Sequence, residues 1–337
     1  MRAIVYDAPE KFGVRDVPTP EPAPGEIRFR VELAGVCGTD HHIHDGSFFA
    51  AFPLTPGHEP VGIVDAIGEG VDGFRIGQRI VATGVGGCGS CANCRRGRPL
   101  LCANLTALGV TGPGGFAEYM IAPSAWCFDA DDLAPEVAVL AEPTACAIHG
   151  VDRLHVSPGS SALVFGAGPT GLILAQLLAR SGAAHVTVAA PSEHKLKLAL
   201  ELGVDAAVPI GRDGSGYEQL TASSPDGYDI VVDATGAAAV TERALPLVRD
   251  GGTLMIYGVT SPDDRVAISP YDVYRREITI TGSFAQISSF PDALNALRNG
   301  RVRTEGLITH RFPLERFGDA LAAVSSDPTA HKVVIEP

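Results

Sequence analysis

The sequence predicts an α/β chain in which a β-rich domain accompanies a domain built on a doubly wound parallel sheet. Short Val- and Ile-rich segments bounded by turn residues fill roughly the first 140 residues. After them, apolar strands alternate with helical segments from Ser161 to Thr281. The length of 337 residues suits two domains of ordinary size.

The β-rich part begins at the N-terminus. Pro18–Gly25 is a Pro-rich connector, and no helical period is predicted before about Leu133. We therefore expect His41, His42 and His44 to lie in a polar loop. The predicted strands are Ala3–Tyr6, Ile27–Leu33, Gly62–Ile67 and Arg79–Ala82.

The parallel sheet is predicted to start at Ser161–Phe165, a continuous apolar run of the kind that is covered on both faces. Alternation of strands and helices at this spacing indicates a doubly wound sheet. Its other predicted elements are the strands His185–Ala189, Asp229–Val232, Thr253–Tyr257 and Ile278–Thr281 and the helices Thr170–Arg180 and Glu193–Leu202.

The C-terminal segment contains two amphipathic helices, Phe290–Asn299 and Leu314–Val324, and a strand, Lys332–Ile335. We expect it to return to the first domain.

Composition and charge exclude several classes of protein. The net charge of −13 makes nucleic acid and anionic membrane surfaces unfavourable partners. With 45% hydrophobic and 19% charged residues, the chain can bury a full core. No apolar run approaches the roughly 18 residues of a membrane-spanning helix. The N-terminal apolar stretch is interrupted at Asp7 and Pro9, so we do not expect a secretory signal.

Four of the seven cysteines form a close cluster with the spacing C-x2-C-x2-C-x7-C. Neighbouring glycines permit the sharp turn that lets such thiolates meet at one tetrahedral ion, and four sulfurs leave no open position. A structural zinc is therefore predicted; an iron–sulfur cluster usually has a shorter last gap. Metal binding rather than disulfides indicates a reducing compartment, the cytoplasm. The four ligands are Cys88, Cys91, Cys94 and Cys102.

A second group of residues whose side chains can bind a metal consists of Cys37, His58, Glu59 and the later Glu142. Sulfur, imidazole nitrogen and carboxylate oxygen are the donors zinc favours, and three protein ligands with an exchangeable position define a catalytic zinc. Each residue alone is a weak signal, because a lone Cys or His is more often a core or surface residue.

A glycine-rich turn follows the strand Ser161–Phe165 and opens the next helix. Gly166, Gly168 and Gly171 form a G-x-G-x-x-G pattern with Pro169 and Thr170 between them. In strand–turn–helix context this pattern predicts a Rossmann dinucleotide site, with the pyrophosphate at the helix N-terminus.

The choice of nucleotide depends on the end of the second strand. Ala190 stands where an NAD site usually has Asp or Glu. Ser192 and Lys195 nearby suit a 2′-phosphate, which favours NADP over NAD. Two alternatives stay open: Ser192 as a simple helix cap, and Glu193 as a displaced ribose acceptor.

Together these motifs resemble the zinc-dependent medium-chain alcohol and polyol dehydrogenases, in particular the sorbitol- and threonine-dehydrogenase-like branch. The resemblance covers nearly the whole chain. It rests on CGTD at 37–40, GHE at 57–59, the four-cysteine loop, GGFAEY at 114–119, AEP at 141–143 and the glycine turn. It implies a GroES-like catalytic domain formed by 1–144 and 283–337, enclosing a Rossmann domain of 145–282.

The resemblance also implies roles for individual residues. Cys37, His58 and Glu59 would be ligands of the catalytic zinc. Glu142 stands where classical alcohol dehydrogenases have a further Cys ligand, and it would bind zinc directly or hold the zinc-bound water. Thr39 and His42 match the proton-relay positions.

The implied function is hydride transfer between NAD(P) and a secondary alcohol of a polyol, cyclitol or sugar-like substrate, with one catalytic and one structural zinc. The alternatives are an L-threonine-type 3-dehydrogenase, an aldose 1-dehydrogenase and, more remotely, a non-catalytic nucleotide-binding zinc protein. The family further implies a homodimer or homotetramer, often formed by joining Rossmann sheets, and Glu277–Ser283 is a candidate edge.

Overall fold

The computed structural model describes all 337 residues, which form two compact units. The first comprises Met1–Ala145, Ala285–Arg298 and Leu307–Pro337, and the second comprises Cys146–Phe284 and Asn299–Gly306. No helix is both long enough and apolar enough to cross a membrane.

The segment Asn299–Gly306 differs from the predicted domain boundaries, which place it with the first unit. It lies in the second unit because it hydrogen-bonds the helix that follows the glycine turn. Gln176 Nε2 donates to the Arg303 carbonyl over 3.2 Å, and Arg180 Nε donates to the Arg301 carbonyl over 2.6 Å.

Short strands rich in β-branched residues dominate the first 130 residues, as predicted. They are β1 (Arg2–Ala8), β2 (Lys11–Asp16), β3 (Glu26–Val36), β4 (Glu59–Ile67), β5 (Arg79–Ala82), β6 (Val85–Gly86), β7 (Thr106–Ala107), β8 (Tyr119–Pro123) and β9 (Cys127–Asp129). The helices of this part are α1 (Gly38–Asp45), α2 (Ala92–Arg95), α3 (Pro135–Ala138) and α4 (Ala141–Asp152).

Helix α1 corrects the prediction of a polar loop at 41–44. Cys37 caps the helix: its sulfur accepts from the Thr39 N–H over 3.3 Å, and the Asp40 carboxylate accepts from the Cys37 N–H over 3.0 Å. This is a capping box made with Cys and Asp. The sequence pattern missed it because Ser or Thr with Glu or Gln usually occupy these positions.

The second unit is a six-stranded parallel sheet, confirming the predicted doubly wound fold. Its strand order is β12-β11-β10-β13-β14-β15, the order typical of Rossmann domains. The strands are β10 (Ser161–Phe165), β11 (His185–Ala190), β12 (Ala206–Pro209), β13 (Tyr228–Asp233), β14 (Val248–Ile256) and β15 (Thr279–Gly282). The helices are α5 (Pro169–Arg180), α6 (Glu193–Glu201), α7 (Tyr217–Ser223), α8 (Ala238–Ala244) and α9 (Pro270–Arg275).

The chain returns to the first unit through α10 (Phe290–Arg298), β16 (Ile308–Pro313), α11 (Phe317–Ser326) and β17 (Lys332–Glu336). The order of the main sheet is β16-β17-β3-β4-β5-β9, and β8 also pairs with β3. Phe29, Phe116 and Phe317 are buried in its core. The sheet therefore places β17 on one side of β3 and β4 on the other, where the candidate site lies.

Candidate active site and metal centres

The antiparallel pairing of β3 and β4 brings Cys37 and His58 together. Gly35 pairs with Glu59 across the two strands, so Cys37, just beyond β3, comes to lie beside His58, just before β4. Cys37 Sγ lies 3.0 Å from His58 Nε2. The donor atoms of Cys37, His58 and Glu59 all lie within 4.8 Å of one another. The structure thus unites three of the predicted ligands, and this sulfur, nitrogen and oxygen set fits zinc.

The Asp40 carboxylate lies behind the His58 ring, a placement the sequence did not reveal. This carboxylate is buried, with 1% of its surface exposed, and its Oδ1 lies 3.6 Å from His58 Nδ1. A carboxylate behind the second ring nitrogen is the usual support of a metal-binding imidazole, because it fixes the tautomer. The aspartate of the CGTD motif at 37–40 was the feature of the sequence that could have indicated this contact.

The electrostatics of this pocket favour a cation. Burial lowers the pKa of His58, but the Cys37 sulfur and the Asp40 carboxylate raise that pKa well above its usual value. Groups that favour a positive charge on this imidazole also favour a divalent cation between them.

Glu142 lies apart from this cluster. It is in the first turn of α4 and is not one of the three residues whose donor atoms meet. Its charge still acts on the pocket: after the stronger effects of burial, Cys37 and Asp40, Glu142 also raises the pKa of His58.

Thr39 and His42 both lie on α1, three residues apart and hence on one side of the helix. His42 Nδ1 lies 2.9 Å from Ser47 Oγ, and the ring is partly exposed. Its neighbour Asp45 lies 3.9 Å away. The structure therefore places His42 where it meets solvent.

Lys332 is an unpredicted member of the pocket. It begins β17 and is buried, with 3% exposed, and its Nζ forms an ion pair with Glu59 Oε2. Burial lowers the pKa of Lys332, but the charges of Glu59 and Cys37 outweigh burial and raise it. No local motif marks this lysine, because about 270 residues separate it from its partner.

The four-cysteine loop is locally assembled. The sulfurs of its four residues lie within 4.8 Å of one another, and Cys91 Sγ lies 3.8 Å from Cys102 Sγ. Backbone N–H groups also point at the sulfurs: Cys88 N–H donates to Cys102 Sγ over 3.3 Å. Hydrogen bonds from Ser90 lower the pKa of Cys88 to about 5, whereas burial raises the pKa of Cys94 to about 12. Four sulfurs at these distances fit a structural zinc.

The glycine turn has the backbone that a dinucleotide site needs. Gly166 has φ of +104°, which only glycine adopts readily. A Cβ at Gly171 would overlap the Gly166 carbonyl, whereas a Cβ at Gly168 would meet nothing within 4 Å. Gly168 caps α5, and Pro169 is the first residue of that helix. The turn thus leaves open space at a helix N-terminus, as pyrophosphate binding requires.

The residues predicted to select the nucleotide lie at the carboxyl edge of the sheet. Ala190 ends β11, and the Ser192 hydroxyl caps α6 by accepting from the Lys195 N–H over 3.4 Å. The Ile210 N–H donates to the Ala190 carbonyl over 3.1 Å, which holds the loop after β12 beside this turn. That loop carries an exposed arginine, Arg212, which the sequence reasoning did not include.

Comparison with known proteins agrees with this arrangement. Residues 23–132 match the alcohol dehydrogenase GroES-like domain, and residues 169–299 match the zinc-binding dehydrogenase family. D-arabinitol dehydrogenase 1 of Uromyces fabae is 40% identical over 100% of this chain and 97% of its own. The chain belongs to the zinc-dependent alcohol dehydrogenase family, as the sequence motifs predicted.

Two solved structures share the whole fold. A zinc-binding dehydrogenase from Sinorhizobium meliloti 1021 bound to NADP has a TM-score of 0.92 and 32% identity, covering 100% of this chain and 99% of the other. The rspB alcohol dehydrogenase from Escherichia coli CFT073, complexed with NADH, has a TM-score of 0.91 and 29% identity, with the same coverage of 100% and 99%. These two neighbours therefore carry nicotinamide nucleotides with and without the 2′-phosphate.

Proposed function

We propose that this enzyme interconverts a secondary alcohol of a polyol and the corresponding ketone, with NADP as its preferred coenzyme. The observation that carries the proposal is the meeting of Cys37, His58 and Glu59 at one point. The relative that acts on D-arabinitol matches the full chain, which supports an open-chain polyol as the substrate class.

The ligands of the catalytic zinc are Cys37, His58 and Glu59, and Glu142 supplies a further carboxylate at its edge. When bound, this zinc supplies Lewis acidity that lowers the pKa of a substrate hydroxyl. Asp40 keeps the His58 ring in the ligating orientation. A second, structural zinc is held by Cys88, Cys91, Cys94 and Cys102.

Thr39 and His42 accept and transfer the proton that the alcohol releases. The Thr39 hydroxyl is the acceptor next to the ligand Cys37, and the His42 imidazole exchanges the proton with solvent. Imidazole suits this task because its ordinary pKa lies near ~6.5. The hydrogen bond between His42 and Ser47 holds the ring in place.

The residues that would hold the pyrophosphate of the nucleotide are Gly166, Gly168 and Gly171, together with Pro169 and Thr170. Ser192 and Lys195 would hold the 2′-phosphate, and Arg212 would add a second positive charge from the adjacent loop. Ala190 offers no carboxylate to repel that phosphate.

The enzyme assembles as a homodimer or homotetramer through β15, the edge strand of the parallel sheet. The adjacent helix α9 carries Tyr271 and Tyr274, which are 67% and 80% exposed, more than is usual for aromatic residues on a free surface. No disulfide joins any of the seven cysteines, which supports the reducing cytoplasm as the site of action.

The decisive experiment is a substrate panel of pentitols, hexitols, cyclitols, sugars and amino alcohols, assayed by nicotinamide absorbance with NAD and NADP. Metal analysis of the same preparation accompanies it. We expect two zinc ions per chain and the highest kcat/KM for a polyol with NADP. A single zinc, or activity restricted to amino alcohols or aldoses, would refute the proposal.

A further inference from the structure

We propose that Lys332 is a positioning residue that weakens the hold of Glu59 on the catalytic zinc and so keeps the metal accessible to substrate. The inference rests on the proposed function, because it presumes a zinc at Cys37, His58 and Glu59. Nζ of Lys332 is paired with Oε2 of Glu59, and both side chains are almost completely buried, at 3% and 2% exposed.

The fold builds this pair across the central strand. β3 lies between β4 and β17, and Gly35 of β3 pairs with Glu59 on one side and with Val334 on the other. The two side chains meet over Gly35, where no side chain intervenes. A Cβ at this position would overlap Glu59 Oε2 and lie 2.8 Å from Lys332 Cε. The pair therefore depends on glycine at position 35.

The charges explain what the pair does. A thiolate from Cys37 and carboxylates from Glu59 and Glu142 would place three negative charges around one divalent ion. The ammonium of Lys332 offsets one of them without occupying a metal position. A buried charge without compensation is costly, so this neutralisation also stabilises the pocket.

The same contact limits what Glu59 can give to the metal. An oxygen that is paired with an ammonium has less electron density to share with a cation, and the ion pair fixes its direction. Lys332 therefore holds Glu59 to a single, weak interaction through its other oxygen. Without the lysine, both carboxylate oxygens turn to the metal and compete with the substrate hydroxyl.

The test compares Lys332→Met with the wild type, Lys332→Arg and the surface control Lys197→Met. We expect Lys332→Met to release its catalytic zinc to a chelator at least 10-fold more slowly, while kcat falls 10- to 100-fold and nucleotide affinity is unchanged. Lys332→Arg should recover most of both properties. Zinc release from the four-cysteine loop serves as an internal standard and should not change.

A purely structural lysine predicts the opposite sign, because a damaged pocket loses zinc faster. Faster zinc release from Lys332→Met, or unchanged release with unchanged kcat, would overturn the inference. Gly35→Ala gives an independent test should the methionine variant fold poorly, because its Cβ separates the pair while both charges remain; it should also slow zinc release. A wild-type enzyme with zinc only in the cysteine loop would refute the proposed function itself.

Discussion

The two metal-ligand clusters of the first unit are built in contrasting ways. The four-cysteine loop draws all its donors from one short stretch, its cysteines range from the exposed Cys88 to the buried Cys102, and it offers only sulfur to a metal. The pocket at Cys37 draws donors from the ends of two strands, is mostly buried, and has mixed donors with a lysine from a third strand. The donor set of the first cluster suits a structural metal, and that of the second suits a metal with an open coordination position.

This contrast teaches that coordination chemistry alone does not separate a structural from a catalytic centre in this chain. The charged groups around the donor atoms also distinguish the two clusters. The thiolates of the loop are stabilised by backbone N–H groups and Ser90. In the pocket, Asp40 and Glu142 raise the pKa of His58, and Lys332 is the cation paired with Glu59.

The largest effect is expected from Cys37→Ala, which removes the only sulfur of the pocket. Loss of a Lewis acid worth several kcal/mol should lower kcat/KM by roughly 1000-fold or more. Zinc content should fall from two to one per chain, and the nucleotide affinity, measured by fluorescence, should stay the same. Full activity in this variant would remove Cys37 from the site.

Cys91→Ser tests the other side of the comparison. The loop should lose its zinc, and Tm should fall by roughly 5 °C, as expected for a loss of about 2 kcal/mol. The kcat of the protein that remains folded should stay within about threefold of the wild type, since no step of the chemistry uses this ion. A loss of activity that preceded unfolding would show that the two centres are not separate in function.

Ala190→Asp tests the candidate nucleotide site of the second unit, which is built around the backbone of the glycine turn and not around metal ligands. A carboxylate at the end of β11 should accept the ribose hydroxyls of NAD and repel a 2′-phosphate. We expect the ratio of kcat/KM for NADP over NAD to fall roughly tenfold, about 1.4 kcal/mol. Ala190→Asn, similar in size but neutral, is the matched control. Equal ratios in both variants and the wild type would refute the assignment.

The smallest effect concerns Asp229, which belongs to the second unit. Its carboxylate accepts from Ser161 N–H over 2.8 Å and from Arg249 Nη1 over 2.9 Å. Burial raises the pKa of Asp229, but these hydrogen bonds outweigh burial and lower it. Because the folded pKa lies below the unfolded one, the stabilisation is complete above about pH 4 and is lost as the pH falls through the folded pKa.

Asp229→Asn should therefore lower the free energy of unfolding by about 1 kcal/mol at neutral pH, measured by urea denaturation. The difference from the wild type should shrink below about pH 4. A difference that grows in acid would contradict the assigned sign.

The sequence patterns predicted those features of the structure whose residues lie close together in the chain. The cysteine spacing, the glycine turn and the β–α alternation all appear in the structure because their partners are close in the chain. Cys37, His58 and Glu59 were recognised through motifs, although their meeting depends on the register of β3 and β4. Helix α1 was missed because its cap uses a cysteine.

Lys332 and Arg212 lay beyond sequence reasoning for a different reason. Each acquires its neighbours through strand pairing, β17 on β3 for the lysine and β12 on β11 for the arginine. A single basic residue next to a strand has no distinguishing pattern, so only the three-dimensional arrangement shows that Lys332 pairs with Glu59 and that the loop of Arg212 lies beside Ala190.

The position of β17 has a consequence for how the enzyme matures. β3 is among the first strands to be synthesised and β17 is the last, so the entire nucleotide-binding unit leaves the ribosome between them. Until β17 docks, Glu59 has no ammonium beside it. A chain truncated before Lys332 would therefore contain the whole second unit while Glu59 lacked its ammonium partner.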